Sequence, residues 1–259
     1  MEHTAVKVFT VVVLVISVTA GQDMVEEVRQ NLNQTVNDLL VHQINLELNA
    51  SYFYQAYASY FNRADVDLLG IGQFFNNQSL EERGHANHLI EYLNKRGGHV
   101  TIKRFDLTST CDTLLNAVQG DGSGLYDRET RMCICNFVAN GIANEKCTAD
   151  SRAAWSESLI AFEDALVLER YENSKLLELH HAAEEADDAD LAHLLEHNLL
   201  EEQVATIYEI AQLIYRLRLF ASGNGTKYKL GEFLLDQEFQ KSPIQTVQGA
   251  VTGRSFTNY

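Results

Sequence analysis

Residues 71–92 read IGQFFNNQSLEERGHANHLIEY, and the spacing of apolar and polar residues in this stretch predicts both a fold and a site. One set of residues recurs in alternating steps of four and three, the period of one face of an α-helix. That face carries Glu82 and His85 one turn apart, between apolar or amide neighbours at Ile71, Phe75, Gln78, Leu89 and Tyr92. Because a buried carboxylate must be neutralised, paired or bound to a metal, this helix is expected to contribute to a metal site.

Three further helical patterns place a polar side chain at a comparable point of the face that should turn inward. We expect these helices to pack around the same interior locus as Glu82 and His85. Their approximate bounds and inward polar residues are 30–62 with Glu47, 156–185 with Glu169, and a segment ending near Ala221 with Gln203.

The connections between the patterns predict how the helices are arranged. Short links join the first pattern to the second and the third to the fourth, so each pair forms an antiparallel hairpin. A long irregular stretch, about residues 99–150, separates the two pairs. The sequence therefore predicts an all-α fold, a four-helix bundle with one long crossover, followed by a short fifth helix near Lys229–Phe239.

The expected site is a two-metal centre. Two metals close together typically share a bridging carboxylate, and Glu82 is the natural bridge because His85 fixes one metal beside it. Glu47 completes that first metal position, and Glu169 holds the second. Oxygen-rich ligands with one imidazole suit iron or manganese. Gln203 stands where a symmetric site would have another charged ligand, so the second metal is expected to be held weakly.

Two other residues fall on inward faces near this centre. Tyr54 lies seven residues after Glu47, where its phenol can donate a hydrogen bond or an electron, or can simply be a core tyrosine. Glu172 lies one turn after Glu169 and is either an extra ligand or, as we prefer from the sequence, a residue rotated to the edge of the bundle.

Charge and the N-terminus indicate the setting. The formal net charge is −16, from 36 acidic and 20 basic residues, which argues against nucleic acid or an anionic membrane as a partner. Lys7 precedes an apolar run at 8–18 and small residues at 18–20, so residues 1–20 are predicted to be a secretory signal peptide rather than an uncleaved anchor. The protein is therefore expected to be secreted.

The four cysteines are expected to form two disulfides rather than a zinc site, because the compartment is oxidising and the Cys-x-Cys spacing is too tight for common zinc motifs. They permit three pairings, which the sequence does not decide. All four fall within a predicted cysteine-rich insertion at 105–152 of the crossover: Cys111, Cys133, Cys135 and Cys147.

The Asn-x-Ser/Thr motif at Asn224 is the best glycosylation candidate, because those at Asn33, Asn49 and Asn77 lie in or near helices.

Several motifs together resemble the ferritin family over about residues 25–240, with one interruption. The matching stretches are QINLELNASY at 43–52, EERGHA at 81–86, RGG at 96–98, LLELH at 176–180 and LEEQV at 200–204. The resemblance implies a ferritin-like bundle over residues 21–259 and a homo-oligomeric shell, typically of 24 subunits, that stores ferric mineral. It also implies co-assembly with other ferritin subunits as an option.

Carried over position by position, the resemblance implies a di-iron ferroxidase centre of the catalytic, heavy-type subunit. Its metal ligands fall on five residues, with a tyrosine and a supporting carboxylate nearby: Glu47, Glu82, His85, Glu169 and Gln203, with Tyr54 and Glu81. The long insertion and the signal peptide resemble the secreted, yolk-type ferritins of molluscs and related invertebrates, which implies yolk or haemolymph as the setting.

Two further features depart from the family pattern, the cavity-facing acidic cluster and the entry channel. Gly84 and Asn87 stand where cavity-facing glutamates are frequent, which weakens mineral nucleation. The three-fold entry channel carries His193 and Glu196, with Asp190 one turn earlier, in place of an aspartate and a glutamate. Iron entry is therefore expected to depend on pH near the pKa of a histidine.

Two functions follow from these observations. The first is iron storage and detoxification, in which Fe(II) is oxidised to Fe(III) at the di-iron centre and deposited as ferric oxide. The alternative is a secreted or yolk iron reserve whose iron oxidises slowly at mineral surfaces. The intact ligand set favours the first. A different di-iron enzyme would normally need a second Glu-x-x-His motif on an inward face. The spacing from Glu178 to His181 on the third helix lies off the face that carries Glu169.

Overall fold

The computed structural model describes residues 24–105, 157–221 and 225–241. The predicted signal peptide, the four cysteines, Asn224 and nearly all of the insertion lie outside these residues. Within them, no helix combines the length and the apolar character that crossing a bilayer requires.

Four long helical rods form the bundle, as the sequence predicts. The helices are α1 (Gln34–Phe61), α2 (Leu69–Lys95), α3 (Glu157–Glu185), α4 (Ala189–Leu195), α5 (Glu201–Ala221) and α6 (Gly225–Lys241). A π-helical turn at Glu196–Leu200 joins α4 to α5, so these two helices form the fourth rod. The fifth predicted helix is α6, which begins four residues earlier than expected and packs against α2 and α5.

Helix α2 is fixed at both ends by contacts that cross the bundle. At its start, the carboxylate of Asp236 in α6 accepts a hydrogen bond of 3.0 Å from the backbone N–H of Ile71. At its end, Arg96 donates bonds of 3.0 and 2.9 Å to the two carboxylate oxygens of Asp188. Asp188 also caps α4 by accepting from the N–H of Leu191 at 3.2 Å. The helix that carries Glu82 and His85 is therefore tied to α6 at one end and to the start of the fourth rod at the other.

The apolar interior is divided into two clusters with polar residues between them. On α2, Phe75 belongs to one cluster and Leu89 to the other; on α3, the corresponding pair is Leu168 and Leu176. The carboxylates predicted to bind metal lie between these residues in the chain. Burial of apolar side chains at both ends of the bundle stabilises helices whose middle is polar.

The π turn keeps one face of the fourth rod turned inward. Buried residues recur there in steps of four, at Leu191, Leu195, Leu199 and Gln203. A step of four residues in a regular α-helix drifts by roughly 40°, and the wider π turn takes up this drift. Gln203 therefore remains on the inward face.

Replacement of Gly70 by alanine is expected to destabilise the bundle. A Cβ atom at Gly70 would lie 2.1 Å from the backbone oxygen of Asp236, so α6 would have to move away from α2. We expect the free energy of unfolding to fall by roughly 1–3 kcal/mol. The measurement is thermal unfolding of the metal-free protein.

Gly84→Ala in the same helix is the matched control, because among the described residues nothing lies within 4 Å of the added Cβ. Loss of a mid-helix glycine should raise stability by roughly 0.5–1 kcal/mol. Equal effects of the two substitutions would contradict the packing of α6 on α2.

Candidate metal centre

Glu47 lies in the bundle interior and is oriented by its own helix. Its side chain is 2 % exposed. The amide of Gln43, one turn earlier on α1, donates a hydrogen bond of 2.7 Å to one carboxylate oxygen. The other oxygen lies 3.7 Å from Nδ1 of His85. Gln43 was not identified from the sequence, although its position four residues before Glu47 is the signal that indicates it.

Glu82 and His85 occupy the same locus on α2, as their spacing predicts. Glu82 is 2 % exposed, and one of its oxygens lies 3.2 Å from Nδ1 of His85. The opposite ring nitrogen, Nε2, lies 3.1 Å from an oxygen of Glu202. Glu202 is a second residue that sequence reasoning missed, although it directly precedes Gln203.

Glu169 is the most extensively hydrogen-bonded carboxylate of the group. The phenol of Tyr54 donates to one oxygen and the amide of Gln203 donates to the other. The Gln203 amide also donates to the backbone oxygen of Glu169 at 2.9 Å. Tyr54 is completely buried, yet it is more than a packing residue because its hydroxyl orients Glu169. The amide of Gln203 does the same from the fourth rod.

Glu172 lies inside the bundle, and the interpretation that it rotates to the edge is wrong. Its side chain is 1 % exposed. It follows Glu169 by one turn of α3, and the inward face of α3 is wide enough for both residues. One oxygen each of Glu172, Glu169 and Glu82 lie within 4.8 Å of one another.

Two groups of possible metal ligands meet at Glu82. One group is Glu47, Glu82 and His85, and the other is Glu82, Glu169 and Glu172. In each group the ligand atoms lie within 4.8 Å of one another. A carboxylate common to two adjacent groups is the arrangement that two-metal sites use.

A third group extends from His85 towards the surface and contains Glu81 and Glu202. Burial, followed by hydrogen bonding to Glu202, raises the pKa of Glu81 to about 9. Although burial acts in the opposite direction, hydrogen bonds with His85 and Glu81 lower the pKa of Glu202 to about 2. At neutral pH this pair therefore holds one proton, on Glu81.

Burial and mutual repulsion dominate the electrostatics of three interior carboxylates, Glu82, Glu169 and Glu172. Burial, then repulsion by neighbouring carboxylates, raises the pKa of both Glu82 and Glu172 well above the usual range. Burial also raises the pKa of Glu169 to about 7. For His85, burial would lower the pKa, but hydrogen bonds to Glu202, Glu47 and Glu82 outweigh it and raise the pKa well above its usual value. Protons on these groups take the place that a divalent cation would fill.

The predicted channel residues lie apart from this centre, on the surface of the fourth rod. Asp190, His193 and Glu196 are all exposed. An oxygen of Glu196 lies 2.9 Å from Nε2 of His180, and the ring of His193 lies 4.3 Å from that of His197. Their role in a channel stays a prediction, because it depends on contacts between subunits.

The fold and the site define a class, the four-helix bundles with a carboxylate and histidine metal centre in their interior. A family model described as a ferritin-like domain matches residues 37–220. The chain belongs to the ferritin family, whose members store iron and assemble into multi-subunit shells.

Curated relatives agree with this assignment. The chain is 51% identical to a yolk ferritin of Lymnaea stagnalis over 85% of this chain and 91% of the relative. It is 34% identical to a soma ferritin of the same snail over 83% of this chain and 95% of the relative. A chloroplastic ferritin-3 of Vigna unguiculata is also 34% identical, over 76% of this chain and 62% of the relative.

The metal-free protein is expected to lose stability as pH rises, in part through Glu81. A carboxyl group whose pKa is raised in the folded state stabilises that state at low pH, and this contribution is lost as pH rises from about 4.5 through the folded pKa. For Glu81 the window extends to about 9. Glu81→Gln imitates the protonated carboxyl group, so it should flatten the fall in melting temperature between these pH values.

Glu178→Gln on the exposed surface of α3 is the control for the loss of one acidic residue. It should leave the pH dependence of the wild type unchanged. A Glu81→Gln profile as steep as that of the wild type would show that Glu81 is not protonated in the folded protein.

Proposed function

We propose that this protein is a catalytic ferritin subunit that binds Fe(II) as its substrate, oxidises it to Fe(III) with dioxygen and passes the product to a cavity for storage as ferric oxide. The observation that carries this proposal is the pair of ligand groups that share Glu82. Carboxylates and one imidazole suit Fe(II), and the two adjacent groups can hold two ions at once.

The protein groups have distinct tasks in this reaction. Glu47, Glu82 and His85 hold one Fe(II), and Glu82 and Glu169 take part in holding the other. Tyr54 keeps Glu169 in position, because burial, then the charge of Glu169, raises the pKa of the phenol and preserves its proton. Gln203, proposed from its family position as a ligand, also acts here as a hydrogen-bond donor to Glu169.

Glu81 and Glu202 connect the centre to the exterior of the bundle. They lie on the partly exposed side of His85, whose side chain is 15 % exposed, whereas Glu82 is 3 % exposed on the same measure. We infer that these two carboxylates, which hold one proton between them, guide ferric product away from the centre. Family membership supports a shell with a cavity, and the number of 24 subunits is part of the proposal.

A secreted setting is part of the proposal. The apolar run near the N-terminus supports it, and so does the 51% identity to a relative named a yolk ferritin. The same similarity favours the alternative function, a yolk iron reserve in which iron oxidises slowly at the mineral surface. The two functions differ in the rate of oxidation of the first Fe(II) ions.

Replacement of the shared ligand and its neighbour separates these functions. The variant Glu82→Ala with His85→Ala should oxidise the first two or so Fe(II) per subunit at least about 100-fold more slowly than the wild type, because both ligand groups are broken. The measurement is stopped-flow absorbance of the ferric product after Fe(II) is mixed with aerated protein.

Lys175→Ala with Glu178→Ala is the control, because it removes a surface ion pair of 2.6 Å on α3. It should oxidise Fe(II) at the wild-type rate. If the wild type itself oxidises Fe(II) slowly and speeds up only as mineral accumulates, the catalytic assignment fails and the iron-reserve function is preferred.

His193 is proposed to slow iron entry at a channel position where the family usually has an aspartate. A carboxylate attracts Fe(II) through its negative charge, whereas an imidazole does not. His193→Asp should therefore increase the initial rate of iron uptake over the wild type, measured under identical conditions. An unchanged rate would remove His193 as the cause.

A further inference from the structure

Glu172 is a buried carboxylate for which the described helices provide no hydrogen-bond donor. Its side chain is 1 % exposed. Neither of its carboxylate oxygens has a hydrogen-bond partner among the described residues. An ionised carboxylate in such an environment costs several kcal/mol unless a cation or a donor compensates it.

The other carboxylates of the centre are each supported by a neighbour. Glu47 accepts from Gln43, and Glu82 lies within hydrogen-bonding distance of His85. Glu169 accepts from both Tyr54 and Gln203. Glu172 is thus the one interior carboxylate of the two ligand groups whose oxygens are both unoccupied by protein donors.

Both oxygens of Glu172 are buried, and one of them belongs to the second ligand group. One of them lies within 4.8 Å of ligand oxygens of both Glu82 and Glu169, which also lie within that distance of each other. A single cation placed among three such oxygens can contact all of them. A buried side chain with free acceptors and two further carboxylates at this distance has the arrangement expected of a metal ligand.

We propose that Glu172 is a direct ligand of the second metal position, and that this position is a three-carboxylate site formed by Glu82, Glu169 and Glu172. The inference rests on the proposed function, because it assigns a ligand to the same two-metal centre. It replaces the expectation from the sequence that Gln203 leaves the second metal weakly held.

Charge balance supports the assignment. The two ligand groups together contain four carboxylates, Glu47, Glu82, Glu169 and Glu172. Two divalent cations carry the charge that neutralises four carboxylates, whereas three carboxylates and a glutamine leave an excess of positive charge. Glu172 therefore supplies on α3 the negative charge that the fourth rod lacks at Gln203.

The test is a count of bound ions that does not depend on oxidation. Co(II) is titrated into the metal-free protein and its binding is followed by calorimetry. The same titration of the variant Glu82→Ala with His85→Ala identifies the ions of the centre, because these are the ions that the variant no longer binds. The wild type should bind two such ions per subunit. In Glu172→Gln, the ion at Glu47, Glu82 and His85 should keep its affinity, and the dissociation constant of the other should rise at least about tenfold.

Glu178→Gln is the matched control, because it removes one carboxylate from an exposed position of the same helix. It should bind both ions like the wild type. Two ions bound to Glu172→Gln with wild-type affinities would overturn the role of Glu172 and leave the proposed function intact. A wild type that binds no ion sensitive to the double replacement would instead overturn the centre itself.

A second measurement separates a ligand from a packing residue. Without metal, Glu172→Gln should melt no lower than the wild type, because it removes a buried carboxylate without a donor. With Co(II), it should gain less in melting temperature than the wild type, because it binds fewer ions. If Glu172→Gln does not fold, Glu172→Asp is titrated in its place, and an unchanged second affinity again contradicts the proposal.

Discussion

The repulsion among carboxylates buried in the middle of the bundle is the constraint on which the rest of the structure depends. Glu47, Glu82, Glu169 and Glu172 are each at most 2 % exposed. Negative charges brought this close in a medium of low polarity must take up protons or bind cations. The two apolar clusters on either side hold the helices together in spite of this repulsion, and the contacts of Arg96 and Asp236 hold α2 in place.

Hydrogen-bond donors determine how each carboxylate is presented. Gln43 donates a hydrogen bond to Glu47, and Tyr54 and Gln203 donate to Glu169, so these donors fix the orientation of the two carboxylates. Neutral donors fix the geometry without adding positive charge, so the centre keeps its attraction for Fe(II). Orientation by neighbours of the ligands is a general requirement for metal sites, and here the donors come from two of the helices that carry ligands, α1 and the fourth rod.

Much of this arrangement was predictable from the sequence, because helical periodicity is a strong constraint. The steps from Phe75 through Glu82 to Leu89 predict an inward face, and the structure confirms it. Periodicity is less informative about rotation within a wide inward face. Glu169 and Glu172 differ by one turn and a small rotation, and where each points depends on how closely the neighbouring helices approach. The π turn at 196–200 was not predictable either, because no particular residue type marks such a turn in a sequence. It depends on how Leu195 and Leu199 pack.

Periodicity within one helix does not reveal which residues form hydrogen bonds between helices. Glu202 follows an ordinary acidic residue in the chain, and only the approach of the fourth rod to α2 brings it within 3.1 Å of His85. The same approach gives Gln203 its contact with Glu169. A glutamine at that position looks like a lost charge when each helix is considered alone. Gln203 and Glu172 divide two roles between them. The fourth rod contributes the donor, Gln203, that fixes Glu169, and α3 contributes the negative charge of Glu172. A cation in the second position would then meet three carboxylates from two helices, α2 and α3, which pack mainly on other helices of the bundle. Its affinity therefore depends on how the whole bundle spaces these two helices.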